Sequence, residues 1–201
     1  MSEPFRIPPR SPELMSPQDT GLLVVDVQER LVPHIRDHEK VVWNIRRLLD
    51  AAQILGVRVL ATEQYPKGLG PTVSPLRERL GQIPEKLMFS CRECWSLFEE
   101  AEKEGLSRLL ICGIEAHVCV QQTVLDLLAS GWRVYVAADA VGSRHRMDYE
   151  MALRRMELAG AVITTTEAVL FEWCVRAGTN EFKQISRLAR EFPPGESVAA
   201  S

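Results

Sequence analysis

Thr20-Gly-Leu-Leu-Val-Val-Asp26 is an unbroken apolar run that ends in a carboxylate, and the fold is read outward from it. Hydrophobicity without alternation marks a strand covered on both faces, as in parallel sheets. Next, Val41, Ile45, Leu48, Ala52 and Leu55 recur at helical spacing until Gly56 ends the helix. Residues 57–62 read as a second strand. Residues 63–84, rich in glycine and proline, read as a long loop with one helical turn, and such a loop in a compact domain usually carries function. The alternation then resumes, with a helix over 95–104, a strand over 108–112 and a helix over 117–129 stopped by Gly131. A strand over 132–137 follows, then a helix through Tyr149, Leu153 and Met156, a short strand over 161–164, and helical segments near 166–174 and 180–190. This order predicts right-handed crossovers and an α/β fold, a doubly wound open parallel sheet of about six strands with helices on both faces.

The chain of 201 residues is long enough for one domain with a large core. Its expected layout is an irregular arm over 1–18, the domain over 19–192 and a frayed tail over 193–201. The longest apolar runs are strand-sized, so no membrane partner is expected. The proline-rich, acidic start lacks the apolar stretch of a signal peptide. A net charge of -3 argues against nucleic acid as a partner. Five cysteines and no export signal point to the cytoplasm and free thiols. Cys91-Arg-Glu-Cys94 has redox or zinc spacing, but no second pair follows, so it reads as a coincidental pair at a helix start. Cys112 and Cys174 read as small hydrophobes.

Ligands bind at the carboxyl ends of strands in such sheets, which puts Asp26, Thr62-Glu63-Gln64 and residues 113–119 on one rim. Asp26 is costly to bury without a partner, yet alone it reads equally as a capping residue. Lys86, before Leu87-Met88-Phe89, reads alone as a surface lysine. Gly113-Ile-Glu-Ala-His-Val-Cys119 sets a thiol near a helix start, where free amides and the helix dipole lower a thiol pKa and can hold an oxyanion. The competing reading of that segment is an inert core cysteine. Asp139 to Ser143 reads as a turn and cap, and Arg144, His145 and Arg146 as a solvated helix start.

Taken together, Leu23-Val-Val-Asp26-Val-Gln28, Lys86 with Ser90, and Gly113-Ile-Glu-Ala-His-Val-Cys-Val120 resemble the three signature blocks of isochorismatase-like hydrolases, in the family's order. The resemblance covers about residues 21–190 and implies a Rossmann-like sheet. It also implies a catalytic triad that hydrolyses amide-type C–N bonds of a small molecule: Asp26 as general base, Lys86 holding charge, Cys119 as nucleophile. It further implies a cis peptide at Ile114–Glu115 and an oxyanion hole from the backbone N–H groups of Glu115 and Cys119. Metal-dependent relatives carry an Asp-x-His and a further histidine after the second strand. This chain has no histidine between His38 and His117, so neither a metal nor another cofactor is expected. Gln64 stands where a metal ligand is lost; Gln28, Tyr65 and His117 are further candidates to orient a substrate, each open to a purely structural reading. Thr62-Glu-Gln-Tyr-Pro-Lys-Gly-Leu-Gly-Pro-Thr72 resembles the isochorismatase domain-containing subgroup. The rival readings are ether hydrolysis using Asp26 without the cysteine, and a binding protein on the same fold. Phe171, Trp173, Val175 and Phe182 read as an exposed apolar cluster, which predicts a homo-oligomer.

Overall fold

The computed structural model describes residues 8–196, so residues 1–7 of the expected arm and 197–201 of the expected tail lie outside the described residues. Six parallel strands form one sheet: β1 (Thr20–Val25), β2 (Arg58–Gln64), β3 (Glu85–Lys86), β4 (Arg108–Ile114), β5 (Arg133–Gly142) and β6 (Val162–Thr164). Their order across the sheet is β3-β2-β1-β4-β5-β6, so the winding reverses between β1 and β4. That reversal opens a crevice at the carboxyl ends of the two strands, where ligands bind in doubly wound sheets.

Alternate residues of the apolar strands feed two separate cores. Leu22, Val24, Leu110 and Cys112 pack on one side with α1 (His38–Leu55), α7 (Thr166–Cys174) and α8 (Asn180–Ala189). Leu23, Val25, Leu109 and Ile111 pack on the other side, with α4 (Ser96–Lys103), α5 (Gln121–Ala129) and α6 (Arg146–Leu158). Burial on both faces explains why β1 shows no polar alternation. Gly56, with φ 71°, ends α1 as its position suggested.

Several sequence expectations change here. Residues 63–84 are not one loop: β2 runs on to Gln64, and two short helices, α2 (Pro66–Leu69) and α3 (Ser74–Arg77), precede β3. The expected helix over 117–129 starts instead as a π-helical turn, Ala116–Val120, before α5. Residues 139–142 are strand, not turn. β5 shifts register opposite residues 111–113 and continues until Gly142 pairs with Ile114. Asp139 does act as a cap, for Oδ1 accepts from the N–H and hydroxyl of Thr166 at the start of α7.

Residues 8–18 are irregular but docked. Met15 is fully buried, its amide donating to Glu172, and the Tyr135 hydroxyl donates to the Glu13 carbonyl. Trp173 is buried in the α1 core rather than exposed, because α7 turns that face inward. Phe171 and Val175 are exposed and Phe182 is half-buried, so the expected apolar cluster is reduced to its edges. Among the described residues, no helix is long and apolar enough to cross a membrane.

Candidate active site

β1 ends at Val25, and the next residue, Asp26, takes a left-handed backbone (φ 53°), a conformation aspartate tolerates better than most residues. Its amide donates to the Thr62 carbonyl on β2, which fixes the carboxyl over the crevice. On the opposite strand, Gly113 has φ 124°, and an added Cβ would lie 2.1 Å from the Val25 carbonyl oxygen. Only glycine lets β4 come this close to β1. The chain then passes through the cis Ile114–Glu115 peptide into the π-helical turn that carries Cys119.

Lys86 is the end of β3, a strand too short to be read from the sequence. Pairing of Gln64 with Lys86 brings the lysine to the rim. Its Nζ lies 2.6 Å from Asp26 Oδ2 and 2.7 Å from Gln64 Oε1, and it also donates to the carbonyls of Phe89 (2.9 Å) and Met88 (3.3 Å). Neither side chain of the pair is exposed. A buried ion pair is tolerable only when its remaining hydrogen-bonding groups are also satisfied, and these are. Asp26 Oδ1 accepts from the Thr62 hydroxyl at 2.8 Å.

Burial pushes the Asp26 carboxyl above the ordinary carboxylate value; Lys86, Cys119 and Thr62 hold it partly down. For Lys86, burial favours loss of the proton, but the charge and hydrogen bond of Asp26 act against it, and the ammonium is kept. Cys119 is 5% exposed. Burial pushes its thiol up, the Asp26 charge adds to the rise, and Lys86 offsets part of it. The expected acidic thiol is therefore reversed in the resting site. Cys119 is the fourth residue of its turn rather than the first, and it faces a carboxylate out of water.

The remaining candidates divide. Gln64 orients Lys86 through Oε1 and donates to the Leu87 carbonyl through Nε2. Gln28 is fully buried and fully engaged: its amide nitrogen donates to the Gln64 and Gly70 carbonyls, and its oxygen accepts from the Gln64 N–H. These bonds tie β2 and the loop at Gly70 to the end of β1. Tyr65 is exposed and, with Leu87, Met88 and Phe89, contributes an apolar surface to the loops around Lys86. His117 Nδ1 is 3.0 Å from the Ser143 hydroxyl. Glu115 directs its side chain to Arg144, whose amide and guanidinium both donate to Oε2. Arg144 is thus tied to the cis-peptide turn, not simply solvated.

Four supporting residues escaped the sequence reading. Thr62 was placed on the rim but given no role. Thr123, one helical turn after Cys119, donates to the Cys119 carbonyl and accepts from the Cys91 amide. Cys91 is not a bystander, because its sulfur lies 3.3 Å from the Thr62 hydroxyl. Glu93 Oε2 accepts from the Leu87 and Met88 amides, pinning the loop whose carbonyls hold Lys86. All five cysteines are free. Among the described residues, no group of three or more His, Cys, Asp or Glu is arranged to hold a metal.

A separate cavity of about 430 Å³ lies between the starts of α1 and α6, lined in part by Lys40, Asn44, Asp139, Ser143 and Tyr149. None of Asp26, Lys86 and Cys119 lines it, and its inward polar groups are already partnered: Asn44 to the Asp139 carbonyl, Ser143 to His117, Tyr149 to the Ala138 carbonyl.

Several known proteins are similar to this chain. The isochorismatase domain model matches residues 20–168. Isochorismatase domain-containing protein 1 of Danio rerio is 36% identical over 90% of this chain, which spans 64% of that longer protein. Isochorismatase domain-containing protein 2 of Danio rerio is 36% identical over 92% of this chain and 94% of its own length. Among solved structures, the MAR1 ribonuclease of Caenorhabditis elegans is 38% identical, with a TM-score of 0.84 over 94% of this chain and 98% of that one.

Proposed function

This chain belongs to the isochorismatase-like hydrolase family, and on that premise we propose that it cleaves an amide-type C–N bond of a small molecule through Cys119. The observation that carries the reading is the buried meeting of Asp26, Lys86 and Cys119, three residues that the chain supplies from separate strand ends. Asp26 takes the thiol proton as the sulfur attacks the carbonyl carbon. The raised proton affinity of the carboxyl suits it to that task. Lys86 keeps the carboxyl in place and balances its charge. The backbone N–H groups of Glu115 and Cys119 receive the oxyanion. As the C–N bond breaks, Asp26 returns the proton to the departing amine or ammonia, leaving a thioester. Water then attacks the thioester with Asp26 again as base, and the acid and the free thiol are released. No organic cofactor or metal takes part in these steps.

Hydrolysis of RNA is a second reading, and the ribonuclease relative is the one observation in its favour. A net charge of -3 and an apolar surface of Tyr65, Leu87, Met88 and Phe89 weigh against a phosphate-gripping site. One experiment separates the readings: release of ammonia or amine from small amides, ureas and carbamoyl compounds, with RNA in parallel wells, for the native chain and Cys119→Ala. The expected result is release from at least one compound, lowered at least about a thousandfold in the variant. RNA cleavage without any amide hydrolysis, or hydrolysis that survives Cys119→Ala, would overturn the cysteine reading in favour of RNA or of ether-type chemistry on Asp26.

A further inference from the structure

The Thr62 hydroxyl has one proton and two buried neighbours, Asp26 Oδ1 at 2.8 Å and Cys91 Sγ at 3.3 Å. An ionised carboxylate can only accept. With Asp26 ionised, Thr62 therefore donates to Oδ1, and its contact with sulfur requires the Cys91 thiol to donate to Thr62. The thiol is able to do so throughout the neutral range, because burial pushes it up to about 12. Lys86 already holds Oδ2, so a proton arriving on the carboxyl is best placed on Oδ1. The chain then runs the other way: Asp26 donates to Thr62, and Thr62 donates to the Cys91 sulfur. In the second arrangement the Cys91 S–H, a weak donor, gives up its acceptor, while the Thr62 hydroxyl keeps both of its bonds.

We propose that Thr62 and Cys91 are positioning residues which form a reversible hydrogen-bond chain behind Asp26 and set the proton affinity of the base in both halves of the reaction. The groups facing Asp26 are few: Thr62 from β2, Lys86 from β3, Cys91 from the 3-10 turn after β3, and Cys119 from the π-helical turn. Cys91 is also fixed to the nucleophile's helix, since its amide donates to Thr123 Oγ1 (2.9 Å) and that hydroxyl donates to the Cys119 carbonyl (2.7 Å). A shift of Cys91 thus moves the base and the nucleophile together. The inference rests on the reading of Asp26 as base for Cys119, and it adds the means by which the base is tuned.

The test needs no substrate. Alkylation of Cys119 by iodoacetamide is followed on the full chain by peptide mass mapping across the acid and neutral pH range. Removing a donor to the carboxylate raises its pKa, so the rise in rate with pH should move to higher pH. Thr62→Val, close to isosteric, is expected to move that limb up by about one unit. Cys91→Ala moves it in the same direction by less. The double variant moves it no further than Thr62→Val alone, because Cys91 acts only through Thr62. Thr62→Ser, which restores the hydroxyl, brings the limb back. Circular dichroism confirms that each variant is folded, and Cys91→Val, which also lacks a donor, takes the place of Cys91→Ala if that variant is not. A limb unmoved by removing the Cys91 thiol, or shifts that add in the double variant, would overturn the chain while leaving Cys119 as nucleophile. A native Cys119 that reacts no faster than the other four cysteines would instead sink the proposed function itself.

Discussion

At the carboxyl ends of the strands, Asp26 and Lys86 meet with neither side chain exposed. At the amino ends, Arg133 pairs with Glu13 of the N-terminal segment, and two-thirds of the Glu13 side chain is in solvent. The same kinds of charge do different things in the two places. In water, two ions lose little by separating, so such a pair is a weak tie. Out of water, each ion has lost its hydration, and the pair persists only through a full set of neighbours. Asp26 and Lys86 have that set in Thr62, Gln64 and the carbonyls of Met88 and Phe89. What the buried arrangement supplies is a carboxyl with raised proton affinity beside an ammonium that stays charged, which is of use to chemistry and of little use to stability.

The largest effect should come from breaking the buried pair on one side only. Lys86→Met leaves a carboxyl in an apolar site with no counter-charge, and such a change costs about 3–5 kcal/mol. Urea unfolding should show the loss, with Cys119 alkylation falling in the same variant. The double variant Lys86→Met/Asp26→Leu should recover much of the stability and none of the reactivity. A single variant as stable as the native chain would show that the site is wetter than its burial implies.

A middle effect belongs to Glu93, which sits on the rim but in solvent. Two backbone donors, the Met88 and Leu87 amides, hold its carboxyl below the ordinary value. A depressed folded pKa means that the anchor is fully present above the ordinary carboxylate range and is lost as pH falls through the lower, folded value. Glu93→Gln should mimic the acid state at neutral pH. Hydrogen exchange at the Leu87 and Met88 amides should quicken, and Cys119 alkylation should slow by a small factor, because the carbonyls that hold Lys86 loosen. Unchanged exchange at those two amides would show that the loop stands without its carboxylate.

How much of this was legible beforehand follows the same divide. The strands that bury on both faces announce themselves, because an unbroken run such as Leu22 to Val25 has no other soluble use. The roles given to Asp26, Lys86 and Cys119 came from the resemblance to a family's signature blocks, because each residue read alone had an equally good structural explanation. Short-range signals could not supply β3, where two residues pair with Glu63 and Gln64 only because the sheet is already there. Thr62, Cys91 and Thr123 were missed for a related reason: each is an ordinary core-sized residue whose role depends on what lies across from it. The acidity of Cys119 was misjudged because the helix start was weighed in its favour, while the burial that pushes the thiol up is visible only in space.

The smallest effect lies at the amino ends. Arg133 donates to Glu13 and to the Pro12 carbonyl, and its guanidinium lies 5.9 Å from the centre of the Tyr135 ring. Three contacts look like a firm anchor for the N-terminal segment. The segment has other holds, however: Arg108 also donates to the Pro12 carbonyl, Tyr135 to the Glu13 carbonyl, and Met15 is fully buried. With Glu13 largely in water, the ion pair itself is worth at most about 1 kcal/mol and is screened by salt. Arg133→Ala should therefore lower stability by about that much or less, with the difference from the native chain shrinking as salt is raised, and the alkylation profile of Cys119 should stay where it was. The comparison fails if this distant substitution moves the profile, for that would mean the two ends of the sheet are coupled through β5 and the rim is not a self-contained device.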